Sequence, residues 1–324
     1  MSSPQPQNSP SPDSAALPES TPSASESVPK RVAAILALVT FSIFFAAAMP
    51  APIRAAWAHF ALAWQLRDEP VPAFPAKLSD HEIEEIAEMA PQDQAERLLE
   101  RAINHYDGAL DLIAKYIDNW YGQIEMQSKF SSLLTTALNS NDLRVRAAAL
   151  ELELAGYNLP KRPESADNLM ERIRTEPSAK PWALWMLGVL ANRGVEPRKG
   201  FNTLMDHRHD PEEQTRYWAI EGLATIGTDE TIHPLLEAFR SDASPLVRER
   251  AACGLAQSGM LTREQRLRAV PELLRMTDDQ TLDATTRGWV FQALRDITGT
   301  NMGTDANAWR TWWSQNHHKL EARN

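Results

Sequence analysis

The chain has 324 residues, which is long for one compact core and short for three. Apolar residues make up 43% and the mean hydropathy is -0.40, which excludes a polytopic membrane protein. The net charge of -10 argues against a basic surface that binds nucleic acid. The single cysteine, Cys253, excludes an internal disulfide framework and any CxxC metal or redox site.

The first 31 residues have the composition of a disordered tail. Residues 1–29 contain seven prolines and nine serines and no aromatic residue. Such a stretch cannot bury enough apolar surface to offset the entropy lost on ordering. We therefore predict a disordered Pro/Ser-rich tail over 1–31.

Residues 32–49, VAAILALVTFSIFFAAAM, are apolar and carry no charge. As a helix this segment reaches roughly 27 Å, about the thickness of the bilayer hydrocarbon. The sequence predicts a transmembrane helix over 32–49 and a juxtamembrane linker over 50–79. A cleaved signal peptide and a buried core helix are the alternatives, and the long leader before this segment argues against the signal peptide.

The flanking charges suggest an orientation for this helix. Lys30 and Arg31 directly precede it, whereas Arg54 and Arg67 follow at a distance. The positive-inside rule then predicts a single-pass protein of the cell membrane with a cytoplasmic tail. Residues 54–324 would lie outside the cytoplasm, in the periplasm.

Residues 80–126 are predicted to form a long amphipathic helix. Its apolar positions alternate in steps of four and three residues, the spacing of a heptad seam. Two interpretations remain: one long helix packed on its own domain, or a coiled coil over 99–124 that pairs two copies of the chain. The seam consists of Leu99, Ile103, Tyr106, Leu110, Ile113, Ile117, Trp120 and Ile124.

Residues 127–299 contain no strand pattern and read as pairs of helices that end at regularly spaced glycines. The intervals between these glycines run from 32 to 40 residues, the period of a solenoid of helical hairpins. We expect each glycine to lie just past a helix, in a left-handed conformation. The glycines are Gly156, Gly194, Gly227, Gly259 and Gly299.

Two of these units share a finer pattern. Asp210 and Asp242 are 32 residues apart, as are Arg216 and Arg248. We expect each aspartate to accept hydrogen bonds from turn amides, and each arginine to reach an aspartate of its own or a neighbouring unit.

The segment TIHPLLEAFRSDASPLVRERAACGLAQSG resembles a HEAT repeat, and its second half also resembles the phycobilisome-lyase-like HEAT repeats. Pro234, Asp242 and Arg248 match the repeat pattern. The next unit keeps Pro271 and Asp279 but has Thr285 in place of the arginine. The resemblance implies an all-α fold, an α-solenoid of HEAT-like hairpins whose usual work is protein binding.

Residues 300–324 are predicted to form a Trp-rich cap and resemble the end of many bacterial HEAT-repeat proteins. Trp309, Trp312 and Trp313 fall on one face of a short helix that Asp305 can cap. Closing the last hairpin is the favoured role for these tryptophans, and an exposed aromatic binding patch is the alternative.

The sequence contains no motif of a known catalytic, nucleotide or metal site. His207 and His209 are two residues apart and cannot share one helix face, and Cys253 lies in an alanine-rich helix. His105 and Tyr106 near Asp107 could form an acid–base group, but such residues more often lie at the edge of a core. We therefore expect no enzyme activity, no cofactor and no metal.

The leading functional hypothesis is a membrane-anchored scaffold or adaptor that binds a partner protein, of unknown identity, along the second helices of its hairpins. The alternatives are an enzyme or enzyme subunit of the lyase-like type and a structural subunit of an envelope complex. The structural residues of the repeats are Pro234, Asp210, Asp242, Pro271, Gly227 and Gly259. The candidate partner-binding face consists of Arg216, Tyr217, Arg248, Arg250 and Arg287.

Overall fold

A computed structural model describes residues 76–321. Three predicted segments lie outside the described residues: the tail over 1–31, the span over 32–49 and nearly all of the linker. Within the described part, no helix is long and apolar enough to cross a membrane. This finding contradicts the predicted membrane attachment and the localisation derived from it, and both are withdrawn.

The segment predicted as one long helix consists of three helices: α1 (Asp80–Glu88), α2 (Pro91–Ile103) and α3 (Ala109–Trp120). The break between α2 and α3 contains two left-handed residues, His105 at φ 56° and Gly108 at φ 88°. The backbone of Asp107 there bonds to the chain at Ala76 and Leu78. These contacts turn the chain, so the prediction of a continuous helix was wrong.

The predicted heptad seam faces the interior of the protein. Because α2 and α3 pack on each other, most of the seam side chains enter the same core. Trp120 is fully buried, and its Nε1 donates to Oε1 of Gln94 at 3.1 Å. A coiled coil between two copies over 99–124 is therefore contradicted.

The rest of the described chain forms hairpins of helices stacked in a row. Residues 76–321 contain no strand, only one isolated bridge between Lys77 and Asp107, which confirms the all-α prediction. A short helix, α12 (Arg263–Leu267), precedes the fifth hairpin. The hairpins are α4 (Ser128–Leu138) with α5 (Leu143–Gly156), α6 (Pro163–Thr175) with α7 (Lys180–Asn192), α8 (Pro197–His207) with α9 (Glu213–Ile226), α10 (Asp229–Ser241) with α11 (Pro245–Cys253), and α13 (Val270–Met276) with α14 (Ala284–Thr298).

Small residues bring the second helices of successive hairpins very close together. A Cβ placed on Gly188 of α7 would lie 2.6 Å from the Cα of Gly222 in α9. Likewise, a Cβ on Gly254 would lie 2.6 Å from the Cβ of Ala224 in α9. Only glycine fits contacts this close, so these positions set the spacing between neighbouring hairpins.

The first hairpin also reaches the end of the fourth. Arg146, near the start of α5, is 4% exposed, and its Nη1 donates to the carbonyl oxygen of Gly259 at 2.6 Å. These residues are 113 positions apart in the sequence. This hydrogen bond therefore connects two hairpins that are not neighbours in the row.

The structure confirms only in part that each repeat glycine lies just past a helix in a left-handed conformation. Gly227 ends α9 in a left-handed conformation at φ 65°. Gly259 is extended, at φ -74° and ψ 171°, because α11 continues through a π-helical turn, Gly254–Ser258. Gly156 is the last residue of α5 and not the residue after it.

The last described helix is α15 (Ala306–Glu321). Oδ1 of Asp305 accepts from the backbone amides of Asn307 and Ala308, as an N-cap does. Trp309 is fully buried, and its Nε1 donates to the carbonyl oxygen of Gly303 at 3.0 Å. Trp312 packs edge-on against Trp309 with ring centroids 6.0 Å apart.

Candidate functional site

Arg216, from the predicted binding face, joins two hairpins. Its Nε and Nη2 donate to the two carboxylate oxygens of Asp242 at 2.9 and 3.0 Å. Its Nη1 also donates to the carbonyl oxygen of Asp210 at 3.0 Å. The guanidinium thus forms hydrogen bonds to the turn of its own hairpin and to the turn of the next hairpin.

Arg248 repeats this arrangement one hairpin later. It donates to the carbonyl oxygen of Asp242 at 2.6 Å and to Oδ2 of Asp283 at 2.8 Å. Arg287 donates to the carbonyl oxygens of Asp279 and Leu282 at 3.2 and 3.0 Å. Each of these arginines therefore supports a turn within or between hairpins.

Tyr217 and Arg250 lie between α9 and α11. Tyr217 is 6% exposed, and Nε of Arg250 lies 2.6 Å from Oε2 of Glu221. Burial lowers the pKa of the Arg250 guanidinium, but Glu221 and Tyr217, with Cys253, together outweigh burial and raise it. All five residues of the predicted face thus contribute to contacts within the solenoid, and their role in binding a partner stays a prediction.

The predicted structural residues occupy the turns and first helices. Oδ1 of Asp210 accepts from the amide of Glu212 at 2.9 Å, and Oδ1 of Asp242 accepts from the amide of Ser244 at 2.8 Å. Pro234 is buried within α10, and Pro271 lies in the first turn of α13. The aspartates therefore bind turn amides, while the side chain of Ser244 caps α11.

A groove of about 650 Å³ lies between α3 and α5, beside the turn that joins α2 to α3. This volume is in the range of protein sites that bind ligands. Its walls hold apolar side chains from both helices and one from α2, Ala102. Those of α3 and α5 are Leu110, Ile113, Ala114, Ile117, Val145, Ala147 and Ala148.

The charged residues around this groove are arranged unevenly. Three carboxylates on the α3 side, Asp107, Asp111 and Asp118, are exposed, and within the described chain none of them forms an ion pair. The opposite side carries charges of both signs, which form ion pairs with each other. Oε2 of Glu151 there lies 2.8 Å from Nζ of Lys161. The α3 side is consequently the negative edge of the groove.

Asp142 closes one end of the groove. Burial raises the pKa of its carboxyl, but hydrogen bonds from the side chain and amide of Arg144 outweigh burial and keep this pKa below its usual value. Nδ1 of His105 lies 3.9 Å from Oδ2 of Asp142. His105, Tyr106 and Asp107, considered in the sequence as a possible acid–base group, thus line the groove, where Asp142 already has Arg144 as its partner.

The sequence contains one signal of this site, a helical spacing of acidic residues. Asp107, Asp111 and Asp118 are four and seven residues apart, and Asp107 directly precedes Gly108, the N-cap of α3. Among residues 76–321, no group of three or more His, Cys, Asp or Glu side chains could hold a metal ion. The lining of the groove combines apolar surface with negative charge along one edge.

The comparisons with known proteins support the repeat architecture. A family model described as HEAT repeats matches residues 175–256 and 201–295. This match confirms the predicted HEAT repeats in the part of the chain that holds Arg216, Arg248 and their aspartates. No curated protein matches the chain. HEAT repeats fit protein-binding scaffolds in general, and the groove lies just ahead of the matched region.

Proposed function

We propose that this protein is a non-catalytic scaffold that binds an amphipathic segment of a partner protein in the groove between α3 and α5. The observation that carries the proposal is the combination of an apolar groove with one unpaired acidic edge. HEAT repeats support this function, because stacked hairpins provide a rigid frame for a protein-binding surface.

The chemistry of the groove specifies the partner segment. Apolar side chains spaced along one face of a helix would bury against Ile113, Ala114 and Ala148. Lysine or arginine residues along one flank would meet Asp111 and Asp118. The other flank would meet a net positive charge, because the single carboxylate of Glu151 pairs with both Lys161 and Arg193.

The absence of enzyme activity is part of the same proposal. Two carboxylates at the groove are engaged in ion pairs, that of Asp142 with Arg144 and that of Glu151 with Lys161. A carboxylate held by an arginine is a poor general base, since its pKa lies well below neutral pH. The finer resemblance to phycobilisome-lyase-like repeats stays a prediction, which the absorbance spectrum of the purified protein tests.

A designed peptide tests the proposal directly. The probe is a fluorescent helical peptide with leucines on one face and lysines along one flank, and its isomer carries glutamates in place of the lysines. We expect the lysine peptide to bind the full chain saturably and more tightly than the glutamate isomer. In D111N/D118N the dissociation constant of the lysine peptide should rise about three- to tenfold.

The matched control is E84Q/E88Q, which removes two exposed carboxylates from α1, away from the groove. This variant should bind the lysine peptide like the parent protein. Equal affinity for the two peptides, or equal weakening in both variants, would contradict the groove as the binding site.

A further inference from the structure

A second cavity, of about 450 Å³, lies where the first hairpin meets the fourth and fifth. It is lined by the α4–α5 turn, by the residues after α11 and by the end of α14. Three arginines contribute to its wall: Arg146, Arg266 and Arg295. One carboxylate lines the cavity with them, that of Asp296, which accepts a hydrogen bond from Nε2 of Gln257.

Arg146 is buried, yet it has no acidic partner. Its Nε donates to the carbonyl oxygen of Ser140 and its Nη1 to that of Gly259. Among residues 76–321, no carboxylate lies within ion-pair distance of this guanidinium, and its Nη2 makes no hydrogen bond. A buried guanidinium bound only to neutral carbonyls retains both its charge and a donor for a ligand.

Arg266 is held in the same way. It donates to the carbonyl oxygens of Ala256, Gln257, Leu261 and Gly259. The carbonyl of Gly259 therefore accepts hydrogen bonds from both Arg146 and Arg266. No acidic side chain of the described chain forms an ion pair with Arg266 either.

The pKa of Arg146 reflects the same excess of positive charge. Burial, and then the nearby charge of Arg266, lower the pKa of Arg146 to about 9, although Asp142 acts in the opposite direction. Burial lowers the pKa of Arg266 to about 10. Both guanidinium groups remain charged at neutral pH, in surroundings that would be stabilised by an added anion.

Three other arginines between the hairpins are neutralised. Arg216 pairs with Asp242, Arg248 with Asp283 and Arg250 with Glu221. Arg146 and Arg266 differ from these three in having carbonyl partners alone, as Arg287 does outside this cavity. The contrast indicates that the missing negative charge at this cavity is supplied by a ligand.

We propose that the cavity binds the phosphate group of a small phosphomonoester. Guanidinium groups match the oxygens of phosphate in both geometry and charge. The cavity is larger than a phosphate ion needs and falls in the volume range of small-molecule sites, so the ligand extends beyond its phosphate. Thr300 and Asn301 supply polar groups for the remainder of the ligand.

Isothermal titration of the full chain with inorganic phosphate and with phosphoserine tests this site, and unphosphorylated serine is the control ligand. We expect saturable binding of one equivalent of a phosphate-bearing probe and no binding of serine. Tighter binding of phosphoserine assigns an organic ester as the ligand, whereas equal affinity assigns free phosphate.

Arg295→Gln is the informative variant, because the Arg295 side chain is only partly buried and forms no ion pair within the described chain. It should weaken phosphate binding about tenfold or more, while Arg263→Gln, an exposed charge on α12, should leave it unchanged. Arg146→Gln should abolish binding, with circular dichroism to verify folding. Failure of both probes to bind the parent protein, or unaltered binding in Arg295→Gln, would overturn the proposal.

Discussion

Arg216 and Asp242 form a two-pronged ion pair between successive hairpins, 26 residues apart in the sequence. The arginine side chain is 14% exposed and the aspartate 7%, so water screens this pair only weakly. The pair therefore joins neighbouring units of the solenoid through charge as well as through apolar packing.

Replacing Arg216 with alanine should lower the free energy of unfolding by about 2 kcal/mol, because Asp242 is left half-satisfied in a buried position. Urea-induced unfolding followed by circular dichroism measures the loss. Arg198→Ala is the control, since its partner Glu230 and Arg198 itself are both largely exposed. Comparable losses in the two variants would show that the Arg216 pair has no special weight.

Gly222→Ala should destabilise the protein by about 1 to 3 kcal/mol, because the new methyl group would clash with Leu204 and with the backbone of Leu184. Gly288→Ala, within α14, meets nothing within 4 Å and should stabilise the protein by about 0.5 to 1 kcal/mol. Thermal unfolding of both variants tests this pair. If Gly222→Ala melts at the same temperature as the parent protein, the stability of the fold does not depend on the close approach of α7 and α9.

The burial of Glu153 predicts that the protein loses stability as the pH rises. The residue is buried in α5, Oε2 has no hydrogen-bond partner, and burial raises the pKa of its carboxyl to about 8. The folded protein thus keeps a proton that the unfolded chain releases near its ordinary pKa. This contribution to stability is complete below about pH 4.5 and is lost as the pH rises towards about 8.

The comparison of Glu153→Gln with the parent protein isolates this effect. The variant keeps a neutral side chain of similar size, so its unfolding free energy should fall less between about pH 5 and about pH 8. Urea titrations across this range supply the measurement, with Glu84→Gln as an exposed control. Parallel pH profiles for Glu153→Gln and the parent would contradict a buried neutral carboxyl.

Filling the groove should block the proposed peptide. Ala114 is exposed on α3 and lines the groove, so Ala114→Trp places a bulky ring there without disturbing the core. We expect at least a tenfold loss of affinity for the lysine-flanked peptide and an unchanged melting temperature. Ala87→Trp, at an exposed position of α1, is the control and should bind like the parent.

The sequence predicted those contacts that recur with the repeat. The 32-residue interval between Arg216 and Arg248, and between their aspartates, already indicated the link between hairpins. Five of the eight residues at the heptad spacing from Leu99 to Ile124 are buried, and the other three pack against the same core. That spacing could not reveal the turn at His105, because an apolar stripe keeps its period when the helix folds back on itself.

Neither the groove nor the second cavity could be predicted from the spacing of residues in the sequence. The groove combines α3 with α5, and the second cavity combines Arg146 with residues more than a hundred positions later. These meetings depend on how closely the helices pack and on the direction in which the hairpins turn. Periodicity within one unit contains no information about either.

The hydrogen bond from Arg146 to Gly259 has a consequence for how this array can evolve. An open solenoid gains or loses a unit at little cost, since each unit touches only the ones beside it. Here the first hairpin is hydrogen-bonded to the end of the fourth, and the insertion or deletion of a hairpin between them would break this hydrogen bond. The number of units in this stretch is thereby fixed, and the array should melt in one cooperative step instead of fraying from one end.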